Sequence, residues 1–376
     1  IAGIYIENNG EYQKATNIPE EGYTLNTEES TCNNNASIGW DSEEEQIYVS
    51  NLNTTNTECT LYFDEHVPTA GETILVNYPT QLTRDDFSVT VTDTTTGTIY
   101  YADTSKGRTY YFAGNPTDNW VYFAGFYWRI IRINEDGTIR MIYQGTSNTA
   151  TGSETQIGTS DFSRDNLYND NMYVGYMYQS GQVHGLTTDS LIKDELDTWY
   201  QNNLARYADD LDGNAGFCGD RTSTTSSSGA PNDTGGTGTT TTYYSGFIRL
   251  ITNKTPTFEC PDEDNDLYTT SGSSDGNGAL DYPIGLITAD EVAYAGGVYA
   301  TSNTSYYLYT NQYYWTMSPY FFYSGYAWVS FVDSGGGLSN NSVDNAWGVR
   351  PAINLRADIQ LSGSGTASDP YLVVGA

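Results

Sequence analysis

The sequence predicts an α+β fold dominated by β-strands, in which a small disulfide-bonded β domain precedes a larger domain. The chain of 376 residues contains 34 tyrosines and 38 glycines. A composition rich in Tyr, Thr, Gly and Asn favours short strands and polar loops over helices. Apolar and polar residues alternate in many short runs, whereas only two stretches show the apolar spacing of a helix. The length allows two or three domains.

Residues 1–66 are predicted to form an acidic β domain that serves as a stalk. They contain thirteen acidic residues and one lysine, and alternating runs such as 59–63 predict strands. Pro68, which is followed by Thr-Ala-Gly, marks a boundary. We expect residues 67–105 to form a β-rich connecting segment and residues 106–376 to form the large domain.

A β-hairpin is predicted where the chain becomes strongly apolar. Residues 126–133 and 138–143 are two β-rich runs that flank Asn-Glu-Asp-Gly, a favourable turn sequence. The arginines of these runs alternate with isoleucines. We therefore expect one face of the hairpin to be buried.

Two helices are predicted from apolar spacing and capping residues. Residues 189–204 have helical periodicity, with Asp189 or Ser190 as the N-cap. Thr288 and Glu291 form a capping-box pattern that opens a short helix through about residue 295. Residues 222–242, nearly all Ser, Thr, Gly, Asn, Asp and Pro, predict a flexible insertion.

The four cysteines predict two sequential disulfides. Cys32 and Cys59 lie in the acidic domain, and Cys218 and Cys260 flank the polar insertion. With no C-x-x-C pair and only two histidines in the chain, a zinc site is not expected. Two disulfides indicate an extracellular or cell-surface protein. Four buried thiols in a cytoplasmic protein are the alternative.

The net charge of −32 argues against several partners. A polyanion repels nucleic acid and anionic lipid surfaces. No apolar run reaches the roughly 18 residues that a spanning helix needs, so no direct membrane insertion of the chain is expected. Solubility and adaptation to high salt are the simpler explanations of the acidity.

Patterns typical of catalysis or metal binding are weak. Residues 272–276 match G-x-S-x-G, but they lie in a Gly/Ser-rich loop without a following helix. Two acidic runs have a spacing that suits calcium, although neither has the glycine and glutamate of an EF-hand. We predict no enzyme, no metal and no cofactor, with calcium as the one alternative. The two runs are Asp262, Asp264 and Asp266, and Asp210, Asp212 and Asn214.

Residues 306–347 predict an exposed aromatic binding face. Fourteen of these 42 residues are aromatic, and the segment contains no Lys, Arg, Glu, His or Cys. Tyr combined with Ser, Gly and Asn is the composition of antibody binding loops. A buried aromatic core is the alternative.

Alternation along these strands divides the segment into an exposed and a buried group. We expect the first group to form one contiguous ligand-binding patch above the second, with a bulge near Phe331. The patch residues are Phe321, Tyr323, Ser324, Tyr326, Trp328, Ser330, Asp333, Ser339, Asn340, Asn341, Asp344 and Trp347. The buried residues are Trp315, Met317, Val329, Val349 and Ile353.

Three stretches together carry a family resemblance: 110–133, 282–291, and 314–319 continued by Gly-Val-Arg-Pro-Ala-Ile-Asn-Leu at 348–355. The set resembles surface proteins of gut Firmicutes with a C-type-lectin-like fold. It is also similar to the variable proteins of diversity-generating retroelements. The resemblance implies a C-type-lectin-like domain whose first and last strands pair, here 109–112 with 371–374.

The resemblance also implies a binding face on residues 320–347. Retroelement mutation of adenines in asparagine codons yields Asn, Tyr, Ser, Asp, Gly, Phe and Ala, all of which occur in this segment, and Lys and Glu do not occur in it. Tryptophan cannot arise in this way. The E-P-N, Q-P-D and W-N-D motifs of calcium-dependent sugar binders are missing, which argues against lectin activity of that type.

The sequence therefore predicts a secreted or cell-surface binding protein that resembles an adhesin or a receptor. Its ligand would be a protein or a glycan on another cell or surface. Two other classes remain open: a glycan-active enzyme with aromatic subsites, and a structural subunit of a surface fibre.

Overall fold

The chain folds into two compact units, Ile1–Pro68 and Thr69–Ala376. A computed structural model describes residues 1–19, 22–41, 46–52, 56–66, 68–164, 166–224 and 236–375. Strands hold 36% of the residues and helices 15%, so the predicted β-dominated class is confirmed. Residues 69–105, which the sequence sets apart as a connecting segment, lie within the second unit.

The first unit contains a five-stranded sheet, closed by a disulfide, and a separate hairpin of two strands. Its strands are β1 Gly3–Asn8, β2 Glu11–Ala15, β3 Tyr23–Leu25, β4 Thr31–Cys32, β5 Ser37–Asp41, β6 Gln46–Ser50 and β7 Cys59–Glu65. The order of the sheet is β2–β1–β7–β3, with β4 also on β7, and the hairpin consists of β5 and β6. Alternation along β7 turns Leu61 and Phe63 into the core beside Ile4. Cys32 and Cys59 are direct partners on neighbouring strands and form the predicted disulfide.

The second unit is built on two large sheets. Its strands are β8 Thr80–Leu82, β9 Thr98–Thr104, β10 Gly107–Tyr111, β11 Trp120–Phe123, β12 Phe126–Ile133, β13 Ile139–Gly145, β14 Gly158–Ser160, β15 Met177–Tyr178, β16 Thr188–Asp189, β17 Phe217–Cys218, β18 Ser223–Thr224, β19 Thr242–Tyr244, β20 Leu267–Tyr268, β21 Tyr314–Tyr323, β22 Tyr326–Val332, β23 Leu338–Ser342, β24 Trp347–Val349, β25 Ala352–Leu355, β26 Leu361–Ser362 and β27 Tyr371–Val373.

The two sheets share one hydrophobic core. The first runs β26–β27–β11–β12–β10–β9–β8, with β13 between β12 and β25. The second runs β14–β24–β21–β19–β18, with β22 between β21 and β23. Trp128 of the first sheet and Trp315 of the second are both fully buried in this core.

Short helices cover the sheets. The α-helices are α1 Ala70–Leu75, α2 Leu191–Asn203, α3 Ser245–Phe247, α4 Glu263–Asp266 and α5 Ala289–Ala295; a π-helical turn spans Ile248–Asn253, and 3₁₀ turns span Gly152–Thr155, Asn171–Val174 and Ala205–Asp210. Both predicted helices are confirmed. The hydroxyl of Ser190 accepts from the backbone N–H of Lys193 at the start of α2, and Thr288 with Glu291 forms the capping box of α5. No helix within the described ranges is long and apolar enough to cross a bilayer.

The predicted hairpin is formed by β12 and β13. The expected buried face is confirmed, and the other face of the hairpin is covered as well. Arg129 is buried and donates to Asn119 Oδ1 and to the carbonyl of Pro116. Arg140 is buried on the adjacent strand. Buried arginines with acceptors allow a strand to be polar on a side that water does not reach.

The pairing of residues 109–112 with 371–374 is also wrong. β27 instead lies parallel to β11, where Val121 pairs with Tyr371. β10 already pairs with β9 on one edge and with β12 on the other. A strand has two edges, so β10 has none left for the last strand.

The second predicted disulfide, Cys218–Cys260, is confirmed. The predicted insertion 222–242 is described only at its ends, which pair as β18 and β19. Residues 225–235, on which the prediction of flexibility mainly rests, lie outside the described residues.

Candidate ligand-binding surface

The β21–β22 hairpin places aromatic side chains at one end of the second sheet. Phe321 pairs with Trp328, and Tyr323 pairs with Tyr326. The two turn residues, Ser324 and Gly325, have φ angles of 54° and 84°. Two positive φ angles are typical of a type I′ turn, whose twist matches that of the strands. The tip of the hairpin therefore has a defined shape.

Phe321 lies at the centre of a cluster of rings. Its centroid is 4.6 Å from that of Tyr320, 5.5 Å from Trp328, 5.7 Å from Tyr243 and 5.9 Å from Tyr323. These rings are tilted or perpendicular to Phe321, as the charge distribution of aromatic rings favours.

Two further contacts extend the cluster. Phe247 packs 4.9 Å from Tyr243 and 5.1 Å from Tyr320. At the hairpin tip, Tyr168 stacks on Tyr326 at 4.7 Å with an interplanar angle of 9°. We name these residues the aromatic surface: Tyr168, Tyr243, Phe247, Tyr320, Phe321, Tyr323, Tyr326 and Trp328.

The aromatic surface is exposed at the hairpin tip and buried at its base, where Tyr243 and Tyr320 are 8% and 7% exposed. Tyr323 is 49% exposed and Tyr326 is 41% exposed, while Phe321 and Trp328 are half-buried. The neighbouring residues of the same strands point the other way, and Phe322, for example, is buried in the core. Because side chains alternate between the two faces of a strand, one face of the hairpin packs on the core, and the rings of Tyr323 and Tyr326 on the other face remain accessible.

The predicted buried group is confirmed as buried. Its members are at most 2% exposed, and they are Trp315, Met317, Val329, Val349 and Ile353. Only part of the predicted patch is exposed. Tyr323, Ser324 and Tyr326 are exposed. Ser330, in contrast, is 2% exposed and shares a hydrogen bond with the hydroxyl of Tyr299. Its place on an exposed patch is therefore wrong.

The expectation of one contiguous patch is wrong as well. Ser339 pairs directly with Phe331 and Asn341 with Val329, and directly opposed residues project from the same side of a sheet. That side is opposite to the one occupied by Trp328. Trp347 belongs with it, since its ring lies 6.0 Å from Phe331 and nearly parallel to it.

The remaining patch residues are half-buried. Asn340 pairs with Ser330 and so lies on the side of Trp328. Asp333 Oδ1 accepts from the backbone N–H groups of Gly335 and Gly337, and Asp344 accepts from the hydroxyl of Ser342. Both aspartates therefore stabilise the local turns of the backbone through hydrogen bonds to nearby residues. The predicted irregularity near Phe331 is found on the β21 side, where the register shifts between the pairs Trp315–Phe331 and Pro319–Val329, whereas β22 and β23 pair regularly.

Four members of the aromatic surface are missing from the predicted patch: Tyr168, Tyr243, Phe247 and Tyr320. Tyr320 lies in the aromatic segment itself. Tyr243 reaches the site because β19 pairs with β21, and Phe247 follows in α3. The β-branched and aromatic residues at 242–244 are typical of a strand, but nothing in them shows which strand is the partner.

The aromatic surface offers stacking and hydrogen bonding. Burial raises the pKa of Tyr320 and of Tyr243, and the nearby Tyr323 adds to the shift at Tyr243. These hydroxyls are therefore neutral at physiological pH. None of the eight side chains is a carboxylate, histidine or thiol, so the chemistry they provide suits recognition by ring faces and hydroxyl groups.

The acidic runs proposed from spacing do not form calcium sites of the expected kind. Asp266 is buried and accepts from Arg221 Nε at 2.8 Å, so an arginine already neutralises it. Asp262 and His184 lie near it, but Asp264 is exposed and does not join them. Asp212 Oδ1 accepts from the backbone N–H groups of Asn214 and Ala215, which makes it part of a turn.

No protein-family model, no curated protein and no solved structure matches this chain.

Proposed function

We propose that this protein binds a ligand on the aromatic surface and that it is secreted or attached to a cell surface. The observation that carries the proposal is the ring cluster around Phe321, which ends in the exposed side chains of Tyr323 and Tyr326. Exposed apolar patches of this kind commonly mark sites of interaction.

The rest of the chain supports a binding role. Tyrosine rings provide rigid contact area at a low cost in side-chain entropy. The tight turn at Ser324 and Gly325 and the buried Phe322 beneath it hold the rings in place before a ligand arrives. The two disulfides are compatible with an oxidising compartment outside the cytoplasm.

The ligand is proposed to be a protein or a glycan on another cell or surface. The C-type-lectin-like identity of the second unit, and diversification of the hairpin by a retroelement, are part of the same proposal. They rest on the sequence resemblance and on the composition of residues 306–347.

The test is a double variant at the hairpin tip, Tyr323→Ala with Tyr326→Ala. The probes are an array of immobilised oligosaccharides and a purified mucin glycoprotein. Loss of two exposed rings should weaken binding at least about tenfold, which is the effect of one interface hot spot. The melting temperature should hardly change, because neither ring is part of the core.

The matched control is Tyr122→Ala, an exposed tyrosine on β11 of the other sheet, which should bind as the wild type does. A second control, Tyr313→Ala, probes the group around Trp347 on the far side of β22. Undiminished binding by the double variant, loss of binding by the Tyr122 control, or failure of the wild type to bind any probe would overturn the proposal.

A further inference from the structure

A polar cavity of about 280 Å³ lies in the second unit, apart from the aromatic surface. Its deep end is formed by Arg132 and Arg140 of the β12–β13 hairpin and by Glu291 of α5. The ring of Phe258 and the Cys218–Cys260 disulfide line one wall. None of the eight residues of the aromatic surface contributes to it.

The cationic side chains that line this cavity differ in how closely they are paired with carboxylates. Arg249 is fully engaged by Asp290 and Asp220, with distances of 2.7 to 3.0 Å. Lys106 Nζ lies 2.9 Å from both Glu263 and Asp275. These charges are neutralised within the protein.

Arg140 is also paired within the protein. It donates to the carbonyls of Gly216 and Leu286 and forms an ion pair with Glu291. Arg132 differs from these three groups. Its side chain is 11% exposed, its buried Nε has no hydrogen-bond partner among the described residues, and its two ion pairs are long, at 3.4 and 3.9 Å.

The carboxylates closest to Arg132 are held elsewhere. Glu291 Oε1 is 3.4 Å from Arg132 Nε but also pairs with Arg140. Glu135 Oε2 is 3.9 Å from Arg132 Nη1, while its other oxygen accepts from the Thr104 hydroxyl at 2.8 Å. A guanidinium has five donors, and leaving them without acceptors in a nearly buried place is costly.

Arg132 and Glu135 are thus joined only by a long ion pair of 3.9 Å, which leaves donors of the guanidinium and one carboxylate oxygen open to a ligand. An anion alone would be repelled by a chain of net charge −32. A zwitterion carries no net charge, and its carboxylate and ammonium groups are close enough together to engage both side chains. The cavity lies near the lower limit of ligand pockets in size, which suits a single small molecule.

We propose that this cavity binds a free α-amino acid, whose carboxylate pairs with Arg132 and whose ammonium group pairs with Glu135. The side chain of the ligand would then lie against the edge of the Phe258 ring, since Arg132 lies over one face of this ring at 4.9 Å and Tyr294 stacks on the ring at 3.7 Å. The site is separate from the aromatic surface, so either one can fail without the other.

Isothermal titration calorimetry with individual free amino acids tests the proposal directly on the full chain. We expect at least one of them to bind, and its N-acetyl derivative and its amide, each lacking one charge, to bind at least about tenfold more weakly. No binding by any amino acid up to about 10 mM, which corresponds to less than roughly 3 kcal/mol, would overturn the proposal. So would equal binding of the N-acetyl derivative.

Variants locate the site. Arg132→Gln should abolish the preference for the amino acid over its amide, and Glu135→Gln should abolish the preference over the N-acetyl derivative. Arg356→Gln is the matched control, because Arg356 is exposed and pairs with Asp358 elsewhere. If Arg132→Gln does not fold, Arg132→Lys retains the charge but not the planar fork and should bind more weakly. Wild-type affinity in both Arg132→Lys and Glu135→Gln would place the ligand elsewhere.

Discussion

Lys193 and Asp197 face each other one turn apart on α2, where Lys193 Nζ lies 2.6 Å from Asp197 Oδ2. Lys193 is fully buried, and Asp189 Oδ2 lies 3.1 Å from the same nitrogen. Burial raises the pKa of Asp197 to about 6, although the hydrogen bond from Lys193 opposes the shift. An aspartate that titrates this high links the stability of the second unit to mildly acidic pH.

The sign of that link follows from proton binding. Between about pH 4 and pH 6 the folded protein holds a proton on Asp197 that the unfolded chain has already lost. The contribution of Asp197 to stability is therefore present below about pH 4 and is lost as the pH rises through about 6. We expect the free energy of unfolding of the wild type, relative to that of Asp197→Asn, to fall over this interval.

Urea unfolding at a series of pH values measures the difference. Glu195→Gln, which changes an exposed carboxylate on the same helix, is the control for the loss of a negative charge from α2. A constant difference for Asp197→Asn would contradict the assignment of the shift to this residue.

Single residues also show how far the sequence predicts the candidate site. Tyr323 and Tyr326 follow from local alternation and a turn, and their exposure is predictable. Ser330 is not, because Tyr299 covers it from another part of the chain. Tyr168 and Tyr243 join the site through contacts over more than 75 residues of sequence, which local patterns do not encode.

At the scale of elements, α5 combines two roles in one side chain. Glu291 accepts from the backbone N–H of Thr288 as part of the capping box. It is also the carboxylate that pairs with the buried Arg140. The start of this helix is therefore tied electrostatically to the β12–β13 hairpin.

Glu291→Gln separates these roles. The amide oxygen can still accept from Thr288, but Arg140 loses its counter-ion while it remains buried. We expect a loss of about 3–5 kcal/mol in the free energy of unfolding, typical of a buried pair that loses one partner. Thr288→Ala, which removes only the hydroxyl of the cap, should cost about 1 kcal/mol. Equal effects of the two changes in urea unfolding would show that the ion pair contributes nothing.

Elements with strong local signals are predictable from this sequence, and irregular ones are less so. The helix at Leu191–Asn203 has a cap and a clear apolar face, and it was predictable within two residues. α1 also begins with a capping box, Thr69 and Glu72, but its six residues are too few to show a period. The register shifts beside Pro319 arise where a residue without a backbone N–H interrupts the pairing of two strands.

At the scale of the whole molecule, each unit has its own core and its own disulfide. Leu61 and Phe63 belong to the core of the first unit, and Cys32–Cys59 closes that unit. The second unit has a far larger core and the Cys218–Cys260 bond. The β-rich class follows from composition, whereas the strand order depends on long-range pairs that composition does not reveal.

A fragment that contains residues 69–376 alone should therefore fold. We expect its near-ultraviolet circular dichroism to show fixed aromatic packing, and its melting temperature to lie within a few degrees of the corresponding transition of the full chain. A double variant of the fragment, Cys218→Ser with Cys260→Ser, shows whether the melting temperature responds to a known loss of stability. It should lower that temperature, because a disulfide that closes a loop of this length contributes about 4 kcal/mol. A fragment without fixed aromatic packing would contradict the autonomy of the unit.

The position of the last strands determines when the second unit can finish folding. Ile139 pairs with Leu355, and Val121 pairs with Tyr371, so β13 and β11 find these partners only far downstream in the sequence. During synthesis the strands of the first unit are complete once Glu65 has left the ribosome, whereas β11 and β13 each keep an open edge until β27 and β25 emerge. Such long-range pairing makes folding slow. Until it is complete, the unpaired edges of β11 and β13 can pair with wrong strands.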